Sequence, residues 1–536
     1  MATIDLTPPS LIAASRQPRS HRVRRALRDI VATRERRGLL ALLAGSWLIR
    51  LALAVQGGQF FFPDESRFLR PLETARLLWS GHPLQALASA FAATDHAGWT
   101  LVGVVPASLQ VLLASLLHRP ATDFAYVSAA LLSGFSVASI AIVYFIARRL
   151  GAVPREALLA ALMMALSVSN AYWSRHLLPY DCSMALGLLA LWFALDTRSW
   201  LRASVLTGLL AGASFAVYNG YWTLALVALV TRVLPRRGRR TLSHWAGTGI
   251  AFLLVAAVPP VLASVLGSNG FGSMVAFAKS VKQGDYSDGF VLPPEYLWHA
   301  EHGLLLLWIA AAMLAVWRLG ARGVQGDRFD PPFAAPLRGE LARLEARLLA
   351  GIGGAAFIYL LLAVDCGVFR VFVVYGRLVR QMVPFFALAT AAMLELGWRL
   401  GGRSRLAAVA VLILATGQAA FNFSGPLTQE FPREIESHLF QYGRLGHALT
   451  ITGPILAGGP EGECYTLVNA QYLYPPRGVA PLEPGTVIAR FRHPFEYLPY
   501  QYDGLRRFER AIVRSTDISI MLLQKPGAPA DPRCRS

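Results

Sequence analysis

From residue 38 to residue 421, apolar runs alternate with short polar stretches. The runs fall at 38–55, 124–147, 157–174, 183–196, 203–218, 220–234, 247–265, 303–318, 347–364, 382–398 and 405–421. Several approach the ~20 apolar residues that carry a helix across a bilayer. One more run, GWTLVGVVPASLQVLLASLL at 99–118, is long enough to cross but is interrupted by Pro106, Ser108 and Gln110. Beyond 421 the pattern changes. Residues 422–536 hold no spanning run, are rich in Pro, Gly, Tyr and charge, and include the strand-like stretches ECYTLVNAQYLY and DISIMLLQ. The predicted fold is an α-helical polytopic membrane protein with about eleven transmembrane helices. A small C-terminal extracytoplasmic α/β domain follows it.

Composition supports the class. Of 536 residues 54% are hydrophobic and 15% charged, with a mean hydropathy of +0.44; a soluble protein averages roughly 25% charged residues. The net charge of +19 could suggest nucleic acid, but only Lys279, Lys282 and Lys525 are lysines and most arginines sit in short clusters between apolar runs. That distribution orients a membrane protein, whereas a nucleic-acid binder gathers its charge on one soluble face. Residues 1–37 carry nine arginines and no apolar core, so they read as a basic cytoplasmic tail ahead of an uncleaved anchor. Cys182, Cys366, Cys464 and Cys534 form no CxxC and point to no metal site.

The arginines also set the topology. With 99–118 lying in the outer interface, the tail and the clusters at 147–155, 196–202, 231–240, 318–347 and 398–405 all fall inside. They hold 28 Lys and Arg, against 10 in the outer segments before residue 422. If 99–118 crossed, every later cluster would oppose the positive-inside rule. The outer segments are then 56–123, 175–182, 266–302 and 365–381, joined by 422–536. The setting implied is a bacterial inner membrane, crossed many times.

The stretch QFFFPDESR, residues 59–67, follows directly on the first run. Pro63, Asp64 and Glu65 suit the start of an interfacial helix, where carboxylates meet the positive end of the helix dipole. That does not account for Arg50, an ionisable group embedded near the outer end of the first run and costly at that depth.

An arginine late in the first span, an acidic pair just after it and an amphipathic A-R-L-L-x-x-G segment together resemble the GT-C glycosyltransferases. The similarity is greatest to the protein O-mannosyltransferase and aminoarabinose transferase branch. It continues through YVSAALLSGFSVASIAIVYFIARRLG and through the second outer loop with Arg175 and Asp181, and again at YGRLVRQMVPFFALA. It covers most of 40–200, is patchy to 420 and does not reach the C-terminal segment. Where many members carry His-Pro-Pro after the first acidic motif, this chain has Asp95-His96-Ala97-Gly98-Trp99. The resemblance implies transfer of a sugar from a polyprenyl-phosphate carrier to an acceptor lipid, glycan or protein on the extracytoplasmic face.

The chemistry of such a transfer assigns roles. A phosphate leaves readily, so the need is for one base on the acceptor and for cations around the departing phosphate. Asp64 is the candidate base, with Glu65 orienting it or the acceptor. Asp181 is either a further catalytic acid or the N-cap of the span starting at Cys182. The substrate-binding candidates are Arg50, Arg175, His96, Lys279, Lys282, Arg377 and Arg380. Arg377 and Arg380 are expected to share a helical face, and the arginine fork makes them the stronger phosphate ligands. His299 and His302, beside Glu295 and Glu301, make a weak metal pattern that reads better as an interfacial loop. No cofactor is predicted, and the need for a divalent cation stays open. The aromatics of RFRHPFEYLPYQYDG read as the core of a small domain. The rival class is a transporter or flippase of a lipid-linked sugar or anionic solute. Such proteins tend to keep charges and helix breaks near the bilayer midplane, whereas here the charges collect at one rim.

Overall fold

The computed structural model describes residues 34–55, 59, 63–92, 97–119, 121–196, 200–234, 241–266, 272, 290–301, 303–324, 335–369 and 376–424, and four strands beyond them. The first run is helix α1 (Arg34–Val55), and a 3-10 turn, Pro63–Phe68, leads into α2 (Leu69–Trp79) and α3 (Pro83–Phe91). Next come α4 (Ala97–Leu117), α5 (Ala125–Arg149), α6 (Pro154–Leu166), α7 (Val168–Tyr172), α8 (Tyr180–Ala194), α9 (Trp200–Val217), α10 (Trp222–Val233) and α11 (Thr241–Val265). The series closes with α12 (Leu292–Glu301), α13 (Gly303–Val324), α14 (Ala335–Gly367), α15 (Gly376–Val379), α16 (Val383–Leu400) and α17 (Gly402–Ser424). Each predicted apolar run is helical. Among the described residues seven helices are long and apolar enough to cross a membrane, or eight if the bent pair α6–α7 counts as one span. The chain is a helical polytopic membrane protein.

Local chemistry places the breaks. Pro154 opens α6 behind an extended Val153, since proline suits a first turn and forces its predecessor out of helical geometry. Gly151 follows α5, Gly401 separates α16 from α17 and Gly402 opens α17, all with positive φ, the conformation glycine adopts without steric cost. The run 157–174 was expected to be one span. It is instead bent by 64° between α6 and α7, because Ser167 turns extended and its hydroxyl accepts the Asn170 N–H at 3.3 Å. A side chain that caps from within an apolar run breaks the helix there.

Hydrogen bonds fix the helix directions. Arg149, at the end of α5, donates to the Trp192 carbonyl at 2.5 Å and pairs with Asp196 at 3.1 Å, so α5 and α8 run parallel. Ser183 at the start of α8 meets Ser214 late in α9 at 2.8 Å, so those two run antiparallel. The ends of α1 and α9 and the starts of α5, α8 and α16 therefore gather at one end of the bundle, the site end. The opposite, basic end carries Arg148, Arg149, Arg399, Arg403 and Arg405. It is tied by Arg347 to Glu156 through two 2.7 Å hydrogen bonds, and by Arg155 and Arg399 to Glu395 at 2.7–2.8 Å.

Helix α4 is not broken: it runs through Pro106. It does qualify by length and apolarity as a crossing helix. Its Gly98 lies against the backbone of Ala216 and Val217, and its Gln110 donates to the Ala121 carbonyl at 2.7 Å and accepts from Ser128 at 2.5 Å. Those partners are all at the site end, so Gly98 and Gln110 of α4 both meet that end of the bundle.

Large apolar side chains such as Leu253, Leu254, Ile413 and Leu414 point outward, as expected where lipid replaces water. With little hydrophobic gain between helices in lipid, close approach of small residues matters more. Gly208 and Gly212 of α9 supply it, resting on the backbone around Thr248 and Phe252 of α11.

Beyond α17 the described residues are β1 (Ile455–Gly458), β2 (Cys464–Asn469), β3 (Thr486–His493) and β4 (Ile518–Gln524). They form an antiparallel sheet in the order β1-β2-β4-β3, with Leu467 opposite Leu522 and a bulge between Val487 and Ala489. Both predicted strand stretches contribute to it.

A methyl group at Gly208 has no room beside the Thr248 carbonyl and Ala251. Gly208→Val is expected to cost about 1–3 kcal/mol through overpacking, read as a lowered Tm in detergent. Gly247→Ala, whose nearest neighbour is Ser204 Cβ at 3.8 Å, should leave Tm unchanged or raise it. Equal effects of the two variants would contradict this packing.

Candidate functional site

The site end holds a run of buried polar residues. Arg50, near the end of α1, donates from Nε to Ser136 Oγ at 2.9 Å and from Nη1 to its own helix at the Ser46 carbonyl, 3.1 Å. Ser136, in α5, passes its proton to the Asn170 carbonyl at 3.3 Å. The Asn170 Oδ1 accepts from Arg380 Nη2 at 2.9 Å, and the same nitrogen is paired with Asp181. Arg50 also interacts electrostatically with both Asp181 and Arg380. The chain of contacts thus joins α1, α5, α7, α8 and the turn before α16. All five side chains are buried.

Local structure explains why these groups point inward. Asp181 lies in the first turn of α8, where the unpaired N–H groups favour an anion. It is not the N-cap that the sequence allowed: that position is Pro179, and the carboxylate goes to Arg380 instead. Arg380 is held by its neighbour Gln381, whose Oε1 accepts from Thr223 Oγ1 at 2.8 Å and from the Leu224 N–H at 3.2 Å. Among the described residues, Arg50 Nη2 and Arg380 Nε and Nη1 have no hydrogen-bond partner. Buried donors left over in this way call for an explanation.

Arg377 and Arg380 reach adjacent residues of α8: Arg377 lies over the Tyr180 ring at 5.6 Å, and Arg380 pairs with Asp181. The Arg377 carbonyl accepts from Tyr221 Oη at 2.9 Å.

A second group ties the stretch after α1 to the loop before α8. Glu65 is fully buried and accepts the Leu177 N–H at 2.7 Å, with its other oxygen 3.2 Å from His176 Nδ1. His176 Nε2 is 2.7 Å from Tyr172 Oη. Arg175 lies over the Tyr172 ring at 4.7 Å, and its carbonyl accepts from Gln59 Nε2 at 3.1 Å. Glu65 was expected to orient its neighbour or the acceptor; its carboxylate holds the loop that leads to Asp181. Burial pulls the His176 pKa below its ordinary 6.5, with Glu65 opposing. In its neutral form the ring donates from Nδ1 to Glu65 and accepts the tyrosine proton at Nε2.

The backbone of Asp64 belongs to the 3-10 turn Pro63–Phe68, one residue from the Glu65 anchor. The Asp64 side chain, Lys279, Lys282 and His96 lie outside the described residues, as do the side chains of His299, His302 and the C-terminal aromatics. Among the described residues no three His, Cys, Asp or Glu side chains group to hold a metal.

Sequence reasoning missed Ser136, Asn170, His176 and Gln381, and it set Glu301 aside in a loop. Glu301 is fully buried, 2.7 Å from Ser167 Oγ, and burial raises its pKa against the bonds that favour its anion. The one available signal was the polar VSN inside an apolar run, since buried polar groups in a span are expensive and rarely idle.

The His176 shift fixes a sign for pH. Unfolded chains take up a proton below about pH 6.5 while the folded ring stays neutral, so this residue's contribution to stability falls as pH drops. The Tm gap between the parent chain and His176→Gln should therefore shrink between about pH 7.5 and about 5.5. A gap that held constant or widened would contradict the neutral assignment.

No family model matches this chain, and no curated protein matches it.

Proposed function

We propose that the protein is a membrane glycosyltransferase that moves a sugar from a polyprenyl-phosphate carrier to an acceptor lipid, glycan or protein on the extracytoplasmic face. In this reading the bundle crosses a bacterial inner membrane eleven times, α4 rests in the outer interface, and 422–536 forms an α/β domain outside. The orientation rests on the basic end facing the cytoplasm.

The observation that carries the reading is the excess of buried guanidinium at the site end. Arg380 pairs with Asp181, Arg50 is held by Ser136 and the Ser46 carbonyl, and three of their N–H-bearing nitrogens have no partner among the described residues. A buried cation excess with spare donors suits an anion, and arginine forks suit phosphate oxygens. Arg175 lies over the Tyr172 ring and Arg377 over the Tyr180 ring, and both add to the positive field.

The reaction then proceeds by single displacement with inversion. The acceptor hydroxyl or amine attacks the anomeric carbon as the bond from that carbon to the phosphate oxygen breaks. The electron pair leaves with the polyprenyl phosphate, and Asp64 takes the acceptor's proton. The arginines stabilise charge that grows on the phosphate in the transition state. Asp64 suits the role through its backbone position, next to the anchored Glu65 and at the outer end of α1.

Purified protein supplied with a polyprenyl-phosphate sugar and an extract of envelope acceptors is expected to release polyprenyl phosphate. Asp64→Asn should still bind the donor but turn over about 10²–10⁴-fold more slowly, the usual range for losing a general base. Full turnover by that variant would remove Asp64 from the mechanism. Movement of an unaltered lipid-linked sugar across a proteoliposome, with no phosphate released, would favour a transporter.

A further inference from the structure

We infer that Glu301 is a positioning residue for Arg380, acting through the turn from Ser167 to Asn170. The inference rests on the transferase reading for the anion that Arg380 meets.

The bend between α6 and α7 exposes the donors of a short helix start, groups that must find acceptors when buried. Glu301, the last residue of α12, supplies them. Its carboxylate accepts from Ser167 Oγ at 2.7 Å, from the Val168 and Ser169 N–H groups at 3.0 and 3.2 Å, and from the Ser169 hydroxyl. Ser167 already caps the Asn170 N–H. A single amide oxygen could satisfy the two backbone donors, whereas Glu301 takes both serine hydroxyls as well. The full carboxylate is therefore more than the turn alone requires.

What the carboxylate adds is a fixed Asn170. Both serine hydroxyls are committed to Glu301, and Ser167 in turn fixes the Asn170 backbone. From that single residue, the carbonyl accepts from Ser136, which holds Arg50, and Oδ1 accepts from Arg380. One residue thus aims two arginines, and Glu301 sets that residue. The same helix, α12, also supports the arginine strip from its other side, since Tyr296 lies directly against Gly376. The outer segment ending at Glu301 therefore touches the arginines' supports at two points.

Glutamine at 301 keeps the shape and one acceptor oxygen but loses the charge and half the acceptor capacity. The test uses the full chain in nanodiscs, with undecaprenyl phosphate as the probe and amide exchange across 164–172 as a second readout. Glu301→Gln is expected to speed exchange at Val168 and Ser169 and to weaken binding about tenfold. Asn170→Ala should weaken it comparably, and the double variant no more than either, because both act on one path. A role confined to overall folding would lower Tm without this non-additive loss of affinity.

Unchanged exchange in a chain that binds the probe would overturn the inference alone. So would faster exchange with unchanged affinity, or losses that multiply in the double variant. A parent chain that binds no undecaprenyl phosphate would overturn the transferase reading, and with it the anion that Glu301 is inferred to serve.

Discussion

A carboxylate and a guanidinium buried together hold the site end of this bundle. Asp181 and Arg380 are 199 positions apart in the chain, and their pairing draws the start of α8 against the turn before α16. Neither charge is tolerable alone at that depth: removing one partner of a buried pair typically costs about 3–5 kcal/mol, because the other is left uncompensated. Asn170 shares the same Arg380 nitrogen, and through Ser136 the contact extends to Arg50. The pair is thus the centre of a network in which five helical elements agree on one geometry. Its weak point is that Arg50 and Arg380 keep donor nitrogens with no partner among the described residues.

The two ends of the bundle use charge differently. At the basic end, Glu156 meets Arg347 and Glu395 meets Arg155 and Arg399 with paired, well-formed bonds. Those contacts staple α6, α14 and α16. At the site end the buried acids among the described residues are committed to positioning. Glu65 holds Leu177 and His176, Glu301 holds the 167–169 turn, and Asp181 holds Arg380. The scaffold spends its carboxylates on positioning and leaves the arginine forks partly unfilled.

Much of this was legible in the sequence, for identifiable reasons. Apolar runs became helices because lipid requires every backbone donor to be paired within its own segment. Arg50 stood out as a charge in an apolar run, and Asp181 as an acid beside one. The charge distribution also argued that 99–118 stays at one end of the bundle; α4 is itself long and apolar enough to cross, and its Gly98 and Gln110 meet residues of the site end. What stayed hidden depends on long-range pairing. Nothing local tells Asp181 that its partner is Arg380 rather than its own helix start. Ser136 and Asn170 look like ordinary small polar residues of a span until their partners are known. The break at Ser167 was invisible because a serine in an apolar run normally bonds back to its own helix, and here it caps the next one.

The measurement that bears most directly on this account is a double-mutant cycle across the central pair. Thermal unfolding in detergent would be followed for Asp181→Leu, Arg380→Met and the two combined. If the pair organises the site end, each single variant should lose much stability, and the double should lose clearly less than the sum, since no buried charge is then stranded. Additive losses, or an Asp181→Leu chain as stable as the parent, would show that the two groups do not depend on each other.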